Sequence, residues 1–156
     1  MAVNYGKKWE QKVKEDFSKI SNVSIDRIYD VTNGYKSLST VSDFIAYMYP
    51  NIFYLEAKSC QGNTFPIKNL TQYDKLACKV GIRGVRSGVA LWFIDHDIAV
   101  YVPTSTFTQL IKDGKKSVNV KMINEGTYNI KVIPSIKKRI FLDCDFTVLR
   151  NLVDGE

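Results

Sequence analysis

Asp43 and Glu56, thirteen residues apart, and Lys58 two positions beyond are the side chains best suited to chemistry. They sit at the two ends of the stretch 41–58, which reads as two strands rich in aromatic and β-branched residues, with Pro50-Asn51 between them. Pairing Tyr47 with Ile52 sets Phe44 opposite Leu55 and Asp43 opposite Glu56, and directly opposed residues share a sheet face. Asp43, Glu56 and Lys58 then converge on one patch, whereas a slip of one residue sends Asp43 to the other face. Two carboxylates so placed suit a hard divalent cation such as Mg²⁺, which takes oxygen ligands together with water and phosphate oxygens. Such an ion acidifies a water and offsets charge on a phosphoryl oxygen, and a lysine beside it can hold or deprotonate that water. The triplet Glu-x-Lys also fits an ion pair on an exposed strand, which contributes little. The elements around it decide between the two.

Trp9, Val13, Phe17 and Ile20 recur at helical spacing, so residues 4–20 are expected to form an amphipathic helix with Glu10 beside its apolar stripe. A strand over 25–31 and a polar loop over 32–40 lead into Asp43. After Lys58 a loop ends in an extended segment before Pro66. Leu70, Tyr73, Leu76, Ala77 and Val80 then outline a helix, with Gln72 in its first turn. Segments 89–94 and 98–102 read as apolar strands, and Asp95-His96-Asp97 reads as the turn joining them rather than as a metal site. A short helix opens at Pro103-Thr104-Ser105 with Phe107, Leu110 and Ile111 inward and closes at Asp113-Gly114. Residues 128–133 suggest a strand and 146–152 a terminal helical turn.

At 156 residues the chain fits one domain, 1–156. No apolar run is long enough to span a membrane, and no apolar stretch follows the first charges as in a signal peptide. A net charge of +6 favours a polyanionic partner. Candidate phosphate contacts are Lys7 and Lys8 at the helix start, Lys36 in the polar loop, Lys68, and Arg83 and Arg86 in a glycine-studded loop. Lys115, Lys116, Lys137, Lys138 and Arg139 read as solvated faces with some scope for DNA contact. Three widely spaced cysteines and one histidine argue against structural zinc and for reduced thiols in a cytosol.

The pattern Asp, then Glu-x-Lys, resembles the PD-(D/E)xK nuclease superfamily, with Ser42 where a proline is nominal. The element order fits that superfamily's α/β, restriction-endonuclease-like core, a mixed central sheet flanked by helices. More specifically, Glu56-Ala57-Lys58-Ser59, then Thr64-Phe65-Pro66-Ile67-Lys68-Asn69-Leu70 and Gln72 resemble RecU-type Holliday-junction resolvases, as do Lys116-Ser117-Val118 and Phe141-Leu142-Asp143. The resemblance implies a nuclease in which Asp43, Glu56 and the Ala57 carbonyl ligate Mg²⁺, with Mn²⁺ a possible substitute, and Lys58 positions the attacking water. It further implies a catalytic role for Glu10 on the first helix and for Gln72. RecU proteins carry a long insertion, the stalk, where only residues 32–42 stand here, which suggests a compact relative of the kind a phage encodes.

The function expected is metal-dependent cleavage of branched DNA at four-way junctions by a cytoplasmic homodimer, without membrane or small-molecule cofactor. The strand pair 89–94 and 98–102, including Tyr101, is a candidate dimer surface, and the loop 32–40 is expected to reach the crossover. The alternatives are a general or flap- or end-directed DNA nuclease with the same residues, and a non-catalytic DNA-binding protein.

Overall fold

The computed structural model of the chain describes residues 2–33, 36–38 and 40–152. Its first helix, α1 (Tyr5–Ser18), is capped by Asn4, whose side chain accepts from the Lys7 amide. The expected stripe buries Trp9, Val13 and Phe17 against one face of a six-stranded sheet. That sheet is built from β1 (Val23–Arg27), β4 (Phe44–Met48), β5 (Asn51–Cys60), β7 (Val85–Phe93), β8 (Ile98–Pro103) and β10 (Lys131–Ile133), adjacent in that order. All neighbours run antiparallel except β5 and β7, which are parallel. Such a mixed sheet needs a crossover between β5 and β7. The crossover consists of β6 (Thr64–Pro66), a 3₁₀ turn over Ile67–Asn69, and α2 (Tyr73–Ala77).

The strands carry apolar side chains on both sides, so the sheet has two cores. Phe44, Ala46, Met48, Phe53, Leu55, Trp92 and Tyr101 pack under α1 and the 3₁₀ turn Phe146–Asn151. On the opposite face, Val89, Leu91, Phe93, Val100 and Val102 are covered by Leu76 of α2 and by Phe107 and Leu110 of α3 (Thr104–Lys112). β9 (Ser117–Asn119) pairs with β6, and α4 (Val120–Glu125) follows it. A last hairpin, β11 (Ser135–Lys138) with β12 (Phe141–Cys144), is fastened to α1 where buried Asp16 accepts from the Cys144 amide at 2.8 Å.

Several expectations change. The strand expected over 25–31 ends at Arg27, and the loop expected over 32–40 contains two paired strands, β2 (Val31–Asn33) and β3 (Lys36–Leu38). The helix expected around 70–80 is only the five residues of α2, whose buried residue is Leu76; Leu70 is buried just ahead of it, while Val80 is exposed. Ile111, expected inward, is also exposed. Segments 89–94 and 98–102 lie within or beside β7 and β8, flanked by β5 on one side and β10 on the other, and are almost wholly buried. They are core, so they cannot be a dimer surface. Asp95-His96-Asp97 does join the two strands, with Asp95 accepting from the Gly62 amide at 2.6 Å and His96 bonded to Asn63.

Candidate active site

The β4–β5 register pairs Tyr47 with Ile52 and Phe44 with Leu55, the register on which the convergence of Asp43 and Glu56 depends. Asp43 immediately precedes β4 and therefore meets Glu56. Three backbone bonds fix it there. The Asp43 amide donates to Glu56 Oε2 at 3.0 Å, the Ala57 amide donates to Asp43 Oδ2 at 2.9 Å, and the Ile28 amide donates to the Asp43 carbonyl at 2.8 Å. Just upstream, the Ser42 hydroxyl is buried and donates to the Phe44 carbonyl, which stiffens the approach. Lys58, two residues along the same strand and so on the same face, brings its Nζ to 3.4 Å from Glu56 Oε1.

Glu10 reaches this cluster from α1. The Trp9 indole donates to the Ala90 carbonyl of β7 at 2.9 Å, in the core, so the helix cannot rotate Glu10 away cheaply. Glu10 Oε2 lies 2.8 Å from Arg27 Nη1, and the same nitrogen lies 3.6 Å from Asp43 Oδ1. Arg27 is the neighbour of the acidic cluster that the sequence does not announce. It ends β1 opposite Phe44, and its guanidinium lies over the Phe44 ring at 5.3 Å. Only the pairing of β1 with β4 puts it beside Asp43, and that pairing is non-local.

The electrostatics are those of crowded carboxylates. Glu56 is only 2% exposed, and its pKa is pushed up to about 8, first by burial and then by the Asp43 charge, with Lys58 pulling the other way. Burial, followed by Asp43, also raises Glu10, against Arg27 and Lys58. A buried acid with a raised pKa beside a second carboxylate is a donor set that a divalent cation relieves. Among the described residues no cage of three His, Cys, Asp or Glu side chains is assembled. Asp43 and Glu56 thus offer a two-carboxylate site of the kind that Mg²⁺ completes with water and substrate oxygens.

The other expected site residues are distributed differently. Gln72 stands at the N-cap of α2, where its side chain accepts from the Thr71 hydroxyl, and it makes no hydrogen bond to the acidic cluster. Lys7, Lys8, Lys68 and Arg83 are exposed, as phosphate contacts must be. Lys36 belongs to β3, and its side chain lies outside the described residues. Arg86 is a correction: it is not in a loop but inside β7, 9% exposed, donating to Asn51 Oδ1 at 3.2 Å and to the Leu152 carbonyl at 3.1 Å. A guanidinium committed to these core partners serves the fold and leaves the set of DNA contacts.

The family model described as Recombination protein U matches residues 5–142. No curated protein matches the sequence. Among solved structures, that of Hjc, a Holliday junction resolvase from Archaeoglobus fulgidus, is similar with a TM-score of 0.57 at 13% identity, covering 77% of this chain and 93% of that one. At that identity the likeness is one of fold, a restriction-endonuclease-like mixed sheet flanked by helices.

Proposed function

Since the chain belongs to the recombination protein U family, Holliday-junction resolvases of the PD-(D/E)xK superfamily, we propose that it is a metal-dependent endonuclease that resolves four-way DNA junctions by paired nicks. The observation that carries the chemistry is the opposed pair Asp43 and Glu56, joined by reciprocal bonds through the Asp43 and Ala57 amides, with Lys58 beside Glu56. In this reading Asp43, Glu56 and the Ala57 carbonyl hold Mg²⁺, or Mn²⁺ in its place. The ion supplies an acidified water and charge neutralisation at the scissile phosphate.

The chain's own groups do the positioning. Lys58, at the edge of the cluster, orients the attacking water. Arg27 spans Glu10 and Asp43 and keeps both carboxylates aimed at the same point. Gln72, at the head of α2, is assigned the substrate side of the site, by resemblance to the family's helix glutamine. Exposed Lys7, Lys8, Lys68 and Arg83 bind DNA phosphates. The described residues form one such site, and two nicks need two, so the acting species is a homodimer whose two-fold matches that of opposing junction strands. Reduced thiols and a DNA substrate fit a cytoplasmic protein, and no helix among the described residues is long and apolar enough to cross a membrane.

The test is the cleavage pattern, with Mg²⁺, on a four-way junction beside a linear duplex of matching sequence. Paired, symmetric nicks near the branch point are expected, with the duplex cut far more slowly. Asp43→Asn, Glu56→Gln and Lys58→Ala should each lower the cleavage rate about a hundredfold or more while leaving junction binding largely intact. Full activity in one variant removes that residue from the mechanism. Equal rates on the two substrates would favour the general-nuclease alternative, which the short interval between β1 and Asp43 keeps in play.

A further inference from the structure

Where β7 begins and β8 ends, the protein encloses a cavity of about 300 Å³. Arg86 and Tyr101 line it, Val85, Pro103 and Leu152 supply apolar wall, and exposed Arg83 stands at its rim. No Asp or Glu is among the described residues that line it. The cavity is separate from the acidic cluster. Arg86 pairs with Phe53 and Val89 with Glu56, so three residues, about 10 Å, part the two along the strands. A glycine makes the room. Gly88 faces Pro103 across the ladder, and the Tyr101 hydroxyl lies 2.7 Å from where a Cβ at position 88 would stand. The ring therefore runs from β8 over Gly88 toward Arg86, the next same-face residue of β7, and its hydroxyl end faces the cavity. Tyr101 is only 1% exposed, yet its hydroxyl makes no hydrogen bond among the described residues. Burial keeps that hydroxyl protonated, raising its pKa against the pull of Arg86, so it stands as a donor. Beside it, Asn51 accepts from Arg86 Nε through Oδ1, while its Nδ2 is buried without a partner among the described residues. A buried donor without an acceptor is destabilising. Two of them beside a guanidinium call for a ligand that only accepts.

We propose that this cavity binds a carboxylate carried on a short apolar body. An ionised carboxylate only accepts, and it has two oxygens, one to meet the Tyr101 hydroxyl and one to face the positive charge of Arg86. The apolar walls take its carbon chain, and the volume is at the small end for ligand cavities. DNA has the wrong shape for it. A backbone phosphate is tethered on both sides along a wide duplex and does not reach a guanidinium that is 9% exposed. The site therefore stands apart from the nuclease reading, and no step of cleavage passes through it. Two sources share the chemistry: a free branched-chain carboxylate, and the acidic residues that follow Leu152 in the sequence, Asp154 and Glu156. Leu152 is itself part of the wall, and its carbonyl accepts from Arg86 at 3.1 Å.

The probe is isovalerate at neutral pH, titrated into the full chain and followed by proton–nitrogen NMR. Saturable shifts are expected at the Arg86 Nε–H and at the amides of residues 85–87. Isovaleramide, of the same shape without the charge, should bind at least about tenfold more weakly. Arg86 also holds Asn51 and Leu152, so removing it would confound binding with folding. Tyr101→Phe keeps the ring and removes only the hydroxyl; it should fold normally and raise the isovalerate dissociation constant about tenfold. The double variant Asp154→Asn/Glu156→Gln separates the sources. Tighter isovalerate binding there than in the wild type assigns the cavity to the chain's own acids, and equal affinity assigns it to a free carboxylate. Absence of saturable binding in both chains would overturn the proposal. So would equal binding of isovaleramide, displacement of isovalerate by equimolar inorganic phosphate, or an unchanged affinity in Tyr101→Phe.

Discussion

Glu56 pays for its position with its proton affinity. It is almost fully enclosed, Asp43 repels its charge, and Lys58 only partly compensates, so its pKa climbs from 4.5 to about 8. An acid whose folded pKa is raised binds more protons when folded than when unfolded over the interval between the two values. Folding stability must then fall as pH rises through that interval. Without divalent metal, the melting temperature should decline between about pH 4.5 and about pH 8, and Glu56→Gln should flatten this decline. Thermal melts of both proteins in chelator across that range check this; an equally steep decline in the variant would show that other groups cause it. At this scale much was legible. Asp43, Glu56 and Lys58 follow from one strand register, because alternation and turn chemistry are local. Arg27 was not legible, since only a contact between strands distant in sequence makes it a neighbour of Asp43. Arg86 was misplaced because Gly81, Gly84 and Gly88 suggest a continuous loop, whereas β7 begins at Val85 and takes Arg86 inside.

Between β7 and β8 the backbone itself carries information. Gly88 pairs with Pro103, and a Cβ built on it would lie 2.6 Å from the ring of Tyr101, which is buried and walled in by Phe53. The ring fills the space that a side chain at 88 would need. Gly88→Ala should therefore cost about 1–3 kcal/mol of stability through overpacking, measured by urea denaturation. A neutral result would mean that the Tyr101 ring can swing aside. No sequence pattern shows this contact, since glycine inside a strand signals close approach without naming the neighbour. Periodicity located α1 and α3 because each buries one stripe, and it located β4, β5, β7 and β8 from their apolar runs. It overextended α2, in which only Leu76 is fully buried. It missed the pairing of β6 with β9 and of β2 with β3, because such short strands are held by partners rather than by propensity.

For the whole molecule, net charge of +6 becomes informative once the cations are sorted by what they touch. Lys12 is engaged by Asp16 and Asp143, Lys137 by Asp97, Arg27 by Glu10 and Asp43, and Arg86 by core acceptors. Lys7, Lys8 and Lys68 are exposed and make no ion pair among the described residues, and these can release counterions from a DNA backbone. Binding of a four-way junction should therefore weaken linearly in a plot of log affinity against log salt. Each of Lys7→Ala, Lys8→Ala and Lys68→Ala should reduce the magnitude of that slope by about 0.9, the contribution of one neutralised phosphate. Lys137→Ala provides the contrast, because its charge is already spent on Asp97 and its loss should leave the slope near the wild-type value. Fluorescence anisotropy with labelled junctions from low to physiological salt, in calcium or chelator to suppress cleavage, supplies the slopes. If affinity does not vary with salt, phosphate neutralisation is not what holds DNA here. If Lys137→Ala lowers the slope as much as Lys68→Ala, the DNA track runs past the β11–β12 hairpin, and the ion pair with Asp97 yields to phosphate on binding.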